Sequence, residues 1–179
     1  MGRWVALLRG VNVGGNRKLP MTDFRGVLAN LGYGDVVTHL QSGNAVFSAP
    51  GPAPALESAI ATALHAEVGI ETRVLVRSGA EMTAVVADNP YPAAMAEPKT
   101  LHVAFLSGPA PAQAVAGIER GRFAPDEFEA RGSLVYVHLP GGFAATKLTN
   151  DRWERWLGVA STMRNWNTVT ALAGLADGS

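Results

Sequence analysis

Apolar and polar positions follow first one period and then another along this chain, and each change of period marks an element. Trp4–Leu8 is a continuous apolar run, suited to a strand covered on both faces. After the polar stretch Arg9–Pro20, Phe24, Val27, Leu28 and Leu31 recur at helical spacing, with Thr22 or a neighbour as cap and Gly32 as stop. Val36–Leu40 and Ala45–Ser48 read as short strands about the hairpin turn Gln41-Ser42-Gly43-Asn44. Beyond the Pro/Gly loop Ala49–Pro54, Leu56, Ile60, Leu64 and Val68 mark a second helix closed by Gly69, and Glu71–Arg77 alternates as a strand. Strand–helix–strand–strand–helix–strand is the order of a ferredoxin-like, split βαβ unit.

The order then restarts. Met82–Ala87 is a short helix, and residues 89–99 form a Pro-containing linker. Leu101–Leu106 is an apolar strand, Ala112–Arg120 a helix, and Glu127–Ala130 with Ser133–Leu139 a hairpin about Arg131-Gly132. Asp151–Leu157 is a helix capped by Thr149 or Asn150. Where the first unit has a fourth strand, Thr162–Leu175 shows helical spacing. The expected class is therefore α+β, with two related ferredoxin-like subdomains and the last strand of the second replaced by a C-terminal helix. Residues 1–79 form the first, 80–100 a helix and linker, and 101–179 the second, degenerate one.

This topology gives the polar loop a neighbour. In a split βαβ unit the first two strands run parallel with the third antiparallel between them, so the loop leaving the first strand and the turn between the second and third share one sheet edge. Arg9, Asn12, Gly14, Gly15, Asn16, Lys18, Gln41, Ser42 and Asn44 are thus expected together. Glycines that let several N–H groups face one point, beside Arg and Lys, suit an anion. Gly10, Gly14 and Gly15 match neither the Rossmann spacing nor a P-loop, and the same glycines also serve tight turns. A third patch, Thr162–Thr168, sets Arg164, Asn165 and Asn167 around Trp166. It reads either as a phosphate and stacking surface or as a core tryptophan with capping asparagines.

Composition narrows the chemistry. At 179 residues the chain buries about 70% of the surface its unfolded form exposes, so its core needs no staples. It has no cysteine, which excludes disulfides, thiolate metal sites and a cysteine nucleophile and fits a reducing, cytoplasmic compartment. The apolar run near Met1 is too short for a signal peptide or a membrane span, and Leu7 stands where myristoylation wants Ser or Thr. Fifteen basic residues balance fifteen acidic ones, without the basic excess of a nucleic-acid binder. The four histidines lack metal-ligand spacing, no Gly-x-Ser-x-Gly elbow occurs, and Glu127 and Glu129 read as the solvated face of a strand. Neither a catalytic constellation nor a resident cofactor or metal is indicated. A small anionic or phosphorylated metabolite or nucleotide is the leading partner. Single-stranded nucleic acid and a protein-interaction or structural role are the alternatives.

Three motifs resemble a known family. Leu7–Gly15 followed by Leu19-Pro20-Met21, then Gln41–Asn44 with Val46-Phe47, then Arg164–Val169, are similar in order to the bacterial family called domain of unknown function 1697. A Lys147-Leu148-Thr149 stretch before the Trp-containing helix belongs to the same likeness. The resemblance implies a compact α+β fold of two related, intertwined subdomains. It carries over no activity and no catalytic residue.

Overall fold

A computed structural model describes residues 1–15 and 17–177. They form two compact units: residues 1–87 together with the chain from Ala171 on, and residues 88–170.

The first unit contains β1 (Gly2–Leu8), α1 (Met21–Asn30), β2 (Gly34–Thr38), β3 (Asn44–Ala49), α2 (Ala53–Val68), β4 (Val74–Ser78) and α3 (Gly79–Ala87). Its sheet runs β2-β3-β1-β4 with every neighbour antiparallel, the split βαβ arrangement. One sheet face carries Ala6, Leu8, Phe47 and Val76, packed with Phe24, Leu28, Ile60 and Leu64 of the two helices. The alternate positions Val5, Leu7, Val46 and Leu75 are also buried, as the unbroken apolar run of β1 requires. Pro20, not Thr22, occupies the N-cap of α1, and no side chain caps it. Thr22 lies inside the first turn, where the helix has already taken up Pro20's carbonyl. A capping box starts α3: Glu81 accepts from the Ser78 main-chain N–H at 2.7 Å, and the Ser78 hydroxyl accepts from the Glu81 N–H at 3.2 Å.

The second unit repeats the plan with β5 (Leu101–Leu106), α4 (Ala112–Ala116), β6 (Glu127–Arg131), β7 (Leu134–His138), α5 (Asn150–Leu157), β8 (Ser161–Asn165) and the start of α6 (Trp166–Asp177). Its sheet order, β6-β7-β5-β8, is the same. Phe128, Val135, Val137, Leu148, Trp153 and Met163 form the core under its helices. The α+β class and the pair of related split βαβ units stand as expected, with two corrections of detail. The fourth strand is present: residues 161–165 pair with β5, and the helix begins only at Trp166. The helix expected over Ala112–Arg120 stops at Ala116, and a 3-10 turn follows at Arg120–Phe123. Gly117 ends it, as a residue of high backbone entropy in helices does. Among the described residues no helix is long and apolar enough to cross a membrane.

Candidate functional site

The polar edge of the first unit is built by three main-chain segments that the sheet brings side by side. The Leu8 N–H donates to Gly43 O and the Arg9 N–H to Arg73 O, both at 2.9 Å, so the end of β1 lies between the 39–43 turn and the lead into β4. The Thr72 hydroxyl donates to Arg9 O at 2.6 Å and fixes the same corner. Val74 is in register with Leu8, which sets Arg73 beside Arg9.

Asn12 stitches the loop to the turn. Its amide nitrogen donates to Leu19 O at 2.8 Å and to Gln41 O at 2.6 Å, and its Oδ1 accepts from the Leu19 N–H at 2.8 Å. Asn12 sits at φ 56°, a left-handed conformation that Asn tolerates better than most residues. All its polar capacity on the amide side is used inside the protein, which makes it a holding residue for this edge.

The turn is held just as firmly. Asn44 is fully buried, and its amide donates to His39 O and to Ser42 Oγ, each at 2.9 Å. Gly43 has φ 78°, and a Cβ there would lie 2.5 Å from Val11 Cγ2 and 2.8 Å from Leu8 Cβ. No residue but glycine lets the turn approach the loop so closely.

Three cations are among the exposed residues of this edge, with Val13, Leu40, Gln41 and Glu71. Arg9 is half-buried, whereas Arg17, Lys18 and Arg73 are exposed. Arg17 turns back through φ 50°, and a Cβ at Gly10 would meet its Nη1 at 3.4 Å. Segments 9–18, 39–44 and 70–73 contain Arg9, Arg17, Lys18 and Arg73 against the single carboxylate of Glu71. The exposed tip is the turn Gly14-Gly15, at φ 63° and 77°, with open space around both. Gln41 is exposed and Ser42 half-buried, and Asn16 lies outside the described residues.

Sequence reasoning did not select Arg17 or Arg73. The antiparallel partnership of β1 and β4 was the signal for Arg73, because it returns the start of β4 to the end of β1.

Arg164, Asn165 and Asn167 belong to the second unit. Arg164 is only 8% exposed, and its Nη1 donates to Thr162 Oγ1 at 2.7 Å and to Met163 O at 2.9 Å. Asn165 Oδ1 accepts the Thr168 N–H at 2.9 Å, capping α6, while Trp166 is 3% exposed. The Asn167 side chain is exposed, and its main-chain oxygen accepts from the Thr170 hydroxyl. The strand aromatics of the first unit are also accounted for: Phe47 is fully buried, and the Trp4 indole N–H donates to Ala49 O at 3.1 Å.

A solved structure, that of the conserved bacterial protein SP0830 from Streptococcus pneumoniae, matches with a TM-score of 0.73 over 98% of each chain at 18% identity, a likeness of fold. No curated protein matches the chain. The resemblance carried by the loop and turn motifs holds, although Arg164–Val169 lies beyond the matched segment: residues 1–136 match the profile described as "Protein of unknown function (DUF1697)", and the chain belongs to that family.

Proposed function

We propose that the first unit binds a small anion bearing phosphate or carboxylate groups at the edge formed by the 9–18 loop and the 41–44 turn. The observation that carries this reading is the Asn12 stitch. It ties a glycine-rich loop to a second segment before any ligand arrives, and the exposed cations Arg17, Lys18 and Arg73 lie on that loop and on the lead into β4 beside it. A loop held in place before binding, with cations on the segments beside it, favours an anion because less ordering remains to be done on binding. Gly14 and Gly15 keep the tip open to a ligand's approach. Arg17 and Lys18 supply charge, and Gln41 and Ser42 orient the bound group by hydrogen bonds. The RNA-type alternative is disfavoured: aromatics on an open sheet face are what such modules use, and Phe47 and Trp4 are engaged in packing and main-chain bonding.

Thermal shift with inorganic phosphate, pyrophosphate, citrate and malate tests the reading. An anion at 100 times its Kd adds about 2.7 kcal/mol of stability, enough to move the transition clearly. The shift is expected in the wild type and in Lys147→Ala, and is expected to fall at least tenfold in apparent affinity with Arg17→Ala/Lys18→Ala. No shift from any of the four, or an undiminished shift in the double variant, overturns it.

A further inference from the structure

The second unit contains a cavity of about 530 Å³ between the Gly117–Phe123 segment and α5. That volume falls within the roughly 300–1,000 Å³ of small-molecule sites. Its lining includes Arg122, Lys147, Arg152, Arg155, Phe123 and Trp156. Glu119 is the one carboxylate there, and it pairs with Arg122 at 2.5 Å. Three cations therefore face the cavity in excess.

Arg152 is held by the rings, and Lys147 and Arg155 are exposed beside it. Arg152 stands with its guanidinium carbon 5.4 Å from the Trp156 ring centre and 5.5 Å from that of Phe123. The two rings meet edge to face at 5.4 Å. A guanidinium held by aromatic faces keeps its N–H edge available and is oriented without a carboxylate partner. Among the described residues Lys147 and Arg152 form no ion pair. Lys147 is carried by a pinned loop: the Thr146 hydroxyl donates to Asp126 at 2.6 Å and accepts from the Leu148 N–H at 3.0 Å, and Leu148 is fully buried. Arg152, Arg155 and Trp156 lie three and four residues apart, on one face of α5.

Gathered cations beside half-buried rings suit a ligand that is flat at one end and anionic at the other. We infer that this cavity binds a small molecule combining a planar heteroaromatic ring with phosphate groups, of the nucleoside mono- or diphosphate class. The ring packs against Trp156 and Phe123, and the phosphates meet Lys147, Arg152 and Arg155. The site is separate from the polar edge of the first unit and does not depend on it.

Isothermal titration with ADP, pyrophosphate and adenosine tests this, supported by quenching of tryptophan fluorescence. Saturable ADP binding is expected, at least tenfold tighter than either pyrophosphate or adenosine. Lys147→Ala/Arg155→Ala, two exposed positions, is expected to weaken ADP at least tenfold while leaving the apoprotein's melting temperature unchanged. Arg17→Ala/Lys18→Ala is expected to leave ADP affinity as it was, which separates this site from the first-unit edge. Absence of saturable ADP binding, equal binding by the Lys147/Arg155 variant, or pyrophosphate binding as tightly as ADP would each overturn the inference. So would a short single-stranded oligonucleotide binding tenfold tighter than ADP, because the occupant would then be a nucleic acid.

Discussion

Single residues decide whether the polar edges of this protein exist. Asn12 joins loop, helix entry and turn through three hydrogen bonds, and Gly43 permits the contact by having no Cβ. His102 shows a different kind of constraint. It is 6% exposed and stacks on Phe143 with ring centres 5.3 Å apart. Burial pushes its pKa below the ordinary 6.5, opposed in part by a hydrogen bond with the Thr100 main chain. The folded protein therefore holds this imidazole neutral, whereas the unfolded chain takes a proton near pH 6.5. The resulting stability is present above that pH and is lost as pH falls through 6.5 toward the folded-state value. Urea unfolding at pH 7.5 and pH 5.5 is expected to show a drop in the wild type and a smaller drop in His102→Gln. Identical drops in the two proteins would show that His102 is not responsible. The sequence revealed Asn12 and Asn44 as members of one cluster because topology alone puts them on one edge. It did not reveal that Asn12 and Asn44 face inward to hold main chain, since an Asn that closes a turn and an Asn that meets a ligand have the same composition and spacing.

At the scale of elements, each sheet ends in an edge strand that a helix carboxylate covers. Glu57 of α2 accepts the Val76 N–H of β4 at 2.8 Å, and Glu154 of α5 accepts the Ser161 N–H of β8 at 2.9 Å. Both N–H groups belong to residues about 1% exposed, where losing a partner costs roughly 1–3 kcal/mol. Glu57→Ala is expected to lower the unfolding free energy by that amount, read as a lower urea midpoint at unchanged m-value, and to speed hydrogen exchange at Val76 more than at Val5. Unchanged exchange at Val76 would show that water replaces the carboxylate without loss. The strand β8 was illegible for a definite reason. Met163, Trp166, Val169 and Leu172 are spaced three apart, so the helix that follows extends its period back over the strand. Within 161–165 only Met163 joins the core under the helices, and Thr162 and Arg164 alternate against it. Five residues of alternation are too few to outweigh twelve of helix. The first four strands, bounded by Gly and Asn turns, carried no such conflict.

Across the whole molecule, the chain leaves the first unit at Ala87 and returns to it at Ala171. The return is tight. A Cβ at Gly79 would lie 2.9 Å from the Ala176 main-chain oxygen, and Arg3 Nη2 donates to Leu175 O at 3.4 Å. Gly79→Ala is expected to cost about 1–3 kcal/mol through overpacking against rigid backbone. Amides of β1 and β4 are expected to exchange faster in that variant than in the wild type, with those of β5 and β7 little changed. Equal acceleration in all four strands would show that both units open as one. The sequence showed the repeat of element order, but nothing in its periodicity marked where the last helix would belong.

That late return orders events during synthesis. The unit begun first is finished last, because residues 88–170 must be made before the segment that seals β1 and α3 appears. At roughly 5–20 residues per second the wait is about 4–17 s. For that interval the N-terminal unit stands incomplete on the ribosome, and by its end the unit encoded in the middle of the message has received its last strand, β8, before the first is sealed.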